Sequence, residues 1–207
     1  MTDDAKFWDN LAEKYAKKPV DDIAAFAEKK RITRELTRPG ATVLEIGCGT
    51  GSLALELAPA AGHIHAMDFS REMIRIANAK KATQGVGNVT FHVGTLQSGP
   101  PVERVDSVWA YSILHLVDDR PAALDMIFKL LEPGGVLISS NVCLGESWIP
   151  YGALIKVMHW FGKAPVVHIY DRKTIMRELE AAGFVEIEEK DVGADPRVAF
   201  IVAKKRA

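Results

Sequence analysis

Cysteine is scarce in this sequence of 207 residues: there are two, Cys48 and Cys143, and they do not form a C-x-x-C pair. Neither a disulfide framework nor a cysteine-based zinc site is expected from them. An excess of either charge is also missing, since 26 Lys and Arg stand against 27 Asp and Glu for a net charge of −1. Without a basic field the main electrostatic source of phosphate-backbone affinity is absent, so no nucleic-acid partner is expected. No stretch of about 18 residues is free of charge, and no stable membrane insertion is expected. The opening Met1-Thr2-Asp3-Asp4-Ala5-Lys6 lacks an apolar signal region, which together with the free thiols points to the cytoplasm. Repeats, low-complexity tracts and long linkers are absent too. What is present is 48% hydrophobic residues, enough for one domain with a full core.

Short apolar runs alternate with helical patterns. Strands are expected at 41–46, 62–67, 89–93, 105–111 and 136–142, with helices at 50–60, from Ser70 to about 83, and at 119–131. A turn is expected at 85–88 and a break at 132–135. A last helix at 171–182, stopped by Gly183, precedes strands at 185–191 and 198–203. Strands separated by helices imply an α/β fold: a single doubly wound, mainly parallel seven-stranded sheet of Rossmann-like type. The last two strands have no helix between them and should form an antiparallel hairpin on one side of it. In such sheets ligands bind past the carboxyl ends of the strands at the topological switch point.

The strongest motif is Glu45-Ile46-Gly47-Cys48-Gly49-Thr50-Gly51, where a strand runs into G-x-G-x-G rather than G-x-G-x-x-G. The dinucleotide fingerprint spaces its glycines to seat a pyrophosphate on a helix N-terminus. Here the third glycine comes one residue early and a carboxylate precedes the loop. That combination suits a ligand with cationic or hydroxyl groups. Asp68, at the end of the second strand, is placed to accept hydrogen bonds from two ribose hydroxyls.

In these residues the sequence resembles the class I S-adenosylmethionine (SAM)-dependent methyltransferases over about 36–205, and specifically their small-molecule branch, which includes the quinone-biosynthesis enzymes. The glycine motif matches closely, the acidic ribose ligand falls on Asp68, and Val105-Asp106-Ser107-Val108-Trp109-Ala110-Tyr111-Ser112-Ile113-Leu114-His115-Leu116 looks like the fourth strand and its following segment. Leu130-Leu131-Glu132-Pro133-Gly134-Gly135 looks like the turn before the fifth strand. The resemblance implies SAM as cofactor, bound by Glu45, Gly47, Cys48, Gly49, Gly51, Asp68, Phe69, Met73, Thr95, Leu96 and Tyr111. One position departs from the pattern: the adenine loop usually carries an acid, and here reads Gly94-Thr95-Leu96-Gln97. Phe7-Trp8-Asp9 with Tyr15 resembles the N-terminal helix that lids the cofactor. The chain then divides into a helical lid (1–35), a SAM-binding core (36–143), a substrate-recognition insertion (144–170) and a C-terminal helix and hairpin (171–207).

Methyl transfer needs alignment more than side-chain chemistry, yet a nucleophile that must lose a proton calls for a base. His115, just past the fourth strand, is the first candidate catalytic residue. His159 and His168 come next as candidate bases, and Tyr15, on the lid, is the other candidate catalytic residue. The insertion carries five of the 16 aromatic residues and, from 148 to 161, a single charge, Lys156. It is expected to bind a lipophilic or planar small-molecule acceptor, with Trp8, Trp148, Tyr151, His159 and His168 as substrate-facing candidates. An oligomer interface or a peripheral membrane contact are the other uses of such a stretch. Nothing in the sequence specifies an oligomeric state.

Cys48 has no neighbouring base and reads as a small filler within the loop. His63, His65 and His92 read as ordinary strand positions. Asp118-Asp119 invites comparison with a metal site, but Asp119 is placed to cap the following helix, so no metal is expected. Open alternatives are a nucleic-acid or protein methyltransferase, a nicotinamide-dependent oxidoreductase, and a SAM-binding protein without activity. The run Trp109-Ala110-Tyr111-Ser112 lacks the Asn/Asp-Pro-Pro-aromatic form that holds a flipped adenine.

Overall fold

The computed structural model describes residues 3–146, 151, 158, 160 and 164–207. Seven strands form one sheet: β1 (Thr42–Ile46), β2 (His63–Asp68), β3 (Val89–Val93), β4 (Val105–Tyr111), β5 (Leu131–Val142), β6 (Val185–Glu189) and β7 (Val198–Lys204). Their spatial order is β3-β2-β1-β4-β5-β7-β6. The pairs from β3 through β5 are parallel, and β7 runs antiparallel to both β5 and β6. The expected hairpin is therefore present with β7 on its inner side. Burial explains the placement. β7 reads Val-Ala-Phe-Ile-Val-Ala-Lys and is buried on both faces, whereas β6 alternates with glutamates and takes the edge.

Six helices flank the sheet among the described residues: α1 (Asp3–Lys17), α2 (Ile23–Leu36), α3 (Ser52–Leu57), α4 (Arg71–Gln84), α5 (Arg120–Leu130) and α6 (Arg172–Ala181). One face packs α2, α3 and α4 onto Val43, Ile64, Trp109, Ile138 and Phe200; the other packs α5 and α6 onto Leu44, Val108, Leu137 and Ile201. The odd and even positions of each strand thus serve two separate cores, as the period of two requires. α1 lies outside these layers, with Ala12 and Trp8 against Met73 and Ile76 of α4.

The helix starts follow from side-chain caps. Ser70 Oγ accepts from the Met73 amide at 3.1 Å, Asp119 from Ala122 at 3.0 Å and Asp171 from Thr174 at 2.7 Å. Two expected elements change form. The helix expected at 50–60 is α3 followed by a 3-10 turn at 58–60, because Pro59 removes an amide donor. The break expected at 132–135 is absorbed into β5 as a bulge: Val105 pairs with Leu131, and Ser107 already pairs with Val136. Between β3 and β4 there is only one 3-10 turn, Leu96–Ser98, in place of a full helix. On the adjoining strands His65 Nδ1 stands 3.1 Å from His92 Nε2, and His63 Nε2 2.9 Å from Thr90 Oγ1.

The chain moves from β1 outward to β2 and β3, then returns to place β4 on the other side of β1. The switch point therefore lies between the carboxyl ends of β1 and β4. Those ends touch, since a Cβ built on Gly47 would lie 2.6 Å from Ile113 Cδ1.

Candidate active site

The loop after β1 is built on three left-handed glycines, with φ of 66° at Gly47, 53° at Gly49 and 74° at Gly51. A side chain at Gly47 would strike Ile113, and one at Gly51 would strike Phe91 at 2.5 Å and Ala77 at 2.8 Å. Glycine is thus required by both conformation and space at these two positions. The Cys48 amide donates to the Met67 carbonyl at 3.0 Å, which ties the loop to the end of β2. Burial pushes the Cys48 thiol well up, consistent with a filler rather than a nucleophile.

Two carboxyl groups face this loop. Asp68 is 8% exposed; its Oδ2 accepts from the Gly49 amide and its Oδ1 from the Ser70 amide, both at 2.9 Å. Burial raises its pKa, against the lowering effect of those amides. Glu45 is 2% exposed and accepts from the Ala54 amide in the first turn of α3, while its Oε2 is buried without a partner among the described residues. Burial and the neighbouring Asp68 charge push the Glu45 carboxyl up to about 8. A glycine loop held close against Ile113 and Phe91, an anchored buried carboxylate and an orphaned carboxyl oxygen together suit a ligand that brings hydroxyl and cationic groups.

α1 closes one side of this loop. Asp9 Oδ1 accepts from Ser70 Oγ at 2.6 Å and from the Glu72 amide at 3.2 Å, placing a carboxylate on the N-terminus of α4. The Tyr15 ring comes within 3.7 Å of a Cβ built on Gly49 and meets Trp8 edge-on, ring centres 6.2 Å apart. The Tyr15 phenol is raised by burial and by the Asp68 charge. Phe69 is half-buried beside Asp68, and Met73 is buried under Ala12. Thr95 Oγ1 accepts from the Ser98 amide at 3.2 Å, within a capping box whose turn buries Leu96.

Past β4, His115 occupies the 3-10 turn Leu114–Leu116, and its carbonyl accepts from the His168 amide at 2.8 Å. Among the described residues its Nδ1 is buried without a partner, and burial pushes the imidazole down to about 4. At neutral pH the ring is uncharged. His168 Nε2 lies 3.1 Å from Asp118 Oδ1. Tyr151 Oη accepts from Arg197 Nη1 at 2.9 Å, on the far side of β5 next to β7. Trp148 and His159 lie outside the described residues. Tyr111 Oη meets Thr33 Oγ1 at 2.6 Å and donates to the Lys29 carbonyl at 3.2 Å, so its hydroxyl faces α2.

The fold brings Glu45, the glycine loop, Asp68, Phe69 and Tyr15 to one place, and His115 and His168 to another beside it. Sequence reasoning did not single out Asp9 as a site residue, although it stands in the Phe7-Trp8-Asp9 run; its acidic position opposite a helix start was the usable signal. Nor did it find Lys29 and Ser140, which meet across 111 positions of sequence.

A family model described as a methyltransferase domain matches residues 37–183. The chain belongs to this methyltransferase-domain family. A demethylmenaquinone methyltransferase of Anoxybacillus flavithermus is 28% identical over 143 residues, 65% of this chain and 60% of that protein. The O-methyltransferase resE of Aspergillus sclerotiorum is 27% identical over 202 residues, 93% of this chain and 75% of its own length. Among solved structures, a DhpI–SAH complex aligns with TM-score 0.75 at 22% identity, covering 99% of this chain and 96% of that one. The methyltransferase neighbours share the seven-stranded α/β architecture, and the chain spans between about half and three quarters of the curated relatives it matches.

Proposed function

We propose that this protein is a SAM-dependent methyltransferase acting on a small apolar or aromatic acceptor. The observation that carries the reading is the buried Asp68 carboxylate, fixed by the Gly49 and Ser70 amides beside a left-handed glycine loop. SAM supplies an electrophilic methyl group on a sulfonium cation. Asp68 holds the ribose hydroxyls, the loop lies against the amino-acid chain, and the Glu45 carboxyl, protonated near neutrality in the ligand-free fold, ionises beside the ligand's positive charge. Tyr15 on α1 lies over Gly49 with Trp8 edge-on to it, and this helix is the lid that would close on the bound ligand and exclude water. That matters because displacement at a sulfonium is accelerated chiefly by alignment in a site without competing solvent. His115, held uncharged by burial, stands at the turn after β4 on the acceptor side of the cleft.

The names of the relatives, a demethylmenaquinone methyltransferase and an O-methyltransferase, support a quinol- or phenol-type acceptor. The near-zero net charge is in keeping with a small acceptor rather than a nucleic acid. No helix among the described residues is long and apolar enough to cross a membrane. Calorimetric titration with SAM, SAH and NAD, followed by a product-coupled assay on thiol, phenol, amine and quinol acceptors, tests the proposal. Binding of SAM and SAH with turnover on one acceptor class is expected. Tight NAD binding without a response to SAM would overturn it.

A further inference from the structure

At the carboxyl ends of β4 and β5 stands a cation that the cofactor does not require. Lys29, on α2, donates from Nζ to Ser140 Oγ at 2.9 Å. Ser140 pairs in register with Tyr111, the last residue of β4. Two anchors hold Lys29 in position: its carbonyl accepts from Thr33 Oγ1 at 2.9 Å and from Tyr111 Oη at 3.2 Å. The next residue, Ser112, turns the chain with a φ of 53°, rare for a residue with a side chain, and donates its amide to the Ser140 carbonyl at 2.8 Å. Ile113 then packs on Gly47. Contacts thus run from the Lys29 ammonium through Ser140, Ser112 and Ile113 to the glycine loop, placing the ammonium beside the switch-point cleft on its β4–β5 side.

An ammonium carries three donors, and Ser140 takes one. Lys29 forms no ion pair among the described residues, unlike Lys18, Lys30, Lys129, Lys190 and Lys204, each of which has a carboxylate. Half-burial lowers its pKa, and the one opposing influence is the charge of Asp22. A half-buried cation held by a neutral hydroxyl gains most from an anion that arrives with a ligand.

We propose that Lys29 is the acceptor-binding cation of this site, and that it selects an acidic hydroxyl, a phenol or enol, as its oxyanion. This rests on the methyltransferase reading and names the substrate class for it. The hydroxyl proton leaves to solvent as the acceptor binds, and Lys29 holds the oxyanion. An oxygen electron pair then forms the new O–CH3 bond while the S–CH3 bond breaks and its pair returns to sulfur. An amine acceptor would gain nothing from this arrangement, since its protonated form is repelled by the ammonium.

The test uses 4-nitrophenol, whose phenolate absorbs in the visible, and the full chain saturated with SAH. Wild type is expected to lower the pKa of the bound phenol by about one unit, a tenfold enrichment of phenolate. Lys29→Met should abolish the shift and Lys29→Arg retain most of it, with SAH affinity unchanged in both. In turnover, Lys29→Met should lose about tenfold or more in kcat/KM on weakly acidic phenols, and progressively less as the phenol is made more acidic. A wild type that binds SAH but leaves the phenol at its solution pKa, or a Lys29→Met variant indistinguishable from wild type, overturns the proposal alone. A wild type that binds neither SAM nor SAH overturns the cofactor reading and this proposal with it.

Discussion

Gly47 has no room for a methyl group: its φ is 66°, and an added Cβ would sit 2.6 Å from Ile113. Conformational strain of about 1 kcal/mol and overpacking of about 1–3 kcal/mol should therefore add in Gly47→Ala. Urea unfolding of Gly47→Ala, Ile113→Ala and the double variant separates the two. A coupling energy of about 1–2 kcal/mol favouring the double variant is expected, because shortening Ile113 relieves the clash but not the strain. Strict additivity would show that the two side chains do not compete for the space. Asp68→Asn keeps the shape of the side chain and removes its charge. SAM affinity measured by calorimetry should fall tenfold or more, a loss of about 1.4 kcal/mol, and an unchanged dissociation constant would remove Asp68 from the site. Gly47 and Asp68 were readable from sequence because a local motif carries them. Lys29 was not, because its meaning comes from Ser140, brought to it only by the closure of β5 against β4 and α2.

Among the elements, those whose ends are fixed by a single nearby side chain were the legible ones. Ser70, Asp119 and Asp171 each cap the helix that follows, and β3 and β4 have the limits that their apolar runs predict. Features decided by packing between distant segments were not legible: the inner position of β7, the bulge in β5 and the docking of α1 on α4. That docking has few parts, namely Asp9 on Ser70 and the Glu72 amide, Glu13 with Arg75 at 2.6 Å, and a small apolar contact around Ala12. The Glu13–Arg75 pair is exposed and contributes little, so Asp9 is the principal polar link. Asp9→Ala should raise amide hydrogen exchange throughout α1 while leaving the sheet amides protected, and should weaken SAM binding severalfold as the lid frays. Exchange in α1 equal to that of wild type would show that apolar contact alone holds the helix.

For the molecule as a whole, the buried titratable groups set opposed pH dependences. The Glu45 carboxyl, ordinarily near 4.5, is pushed up to about 8 in the fold, so between those values the native state holds a proton that the unfolded chain has released. Its contribution is fully present at low pH and is lost as pH rises toward 8. His115 is pushed down to about 4 from 6.5, so its contribution is present above 6.5 and lost as pH falls toward 4. His65 and His92 are lowered in the same direction, first by burial and then by neighbouring imidazoles. Burial raises Asp68 in the same direction as Glu45; from about 4.5 to 6.5 the carboxyl and imidazole effects oppose each other, and above 6.5 the carboxyl effect, led by Glu45, remains. Stability of the ligand-free protein should therefore fall by about 2 kcal/mol between pH 6.5 and 8, at 1.36 kcal/mol per pH unit for one proton. Glu45→Gln removes the titrating group and should flatten this arm, whereas His115→Asn should alter only the acid side. A bound cation makes the charged carboxylate tolerable, so SAM should bind more tightly as pH rises from 6.5 to 8 and release a proton as it does so. Urea melts at half-unit intervals of pH, with calorimetry in two buffers of different ionisation enthalpy, measure both effects. An alkaline arm that persists in Glu45→Gln would place the responsible proton on another group.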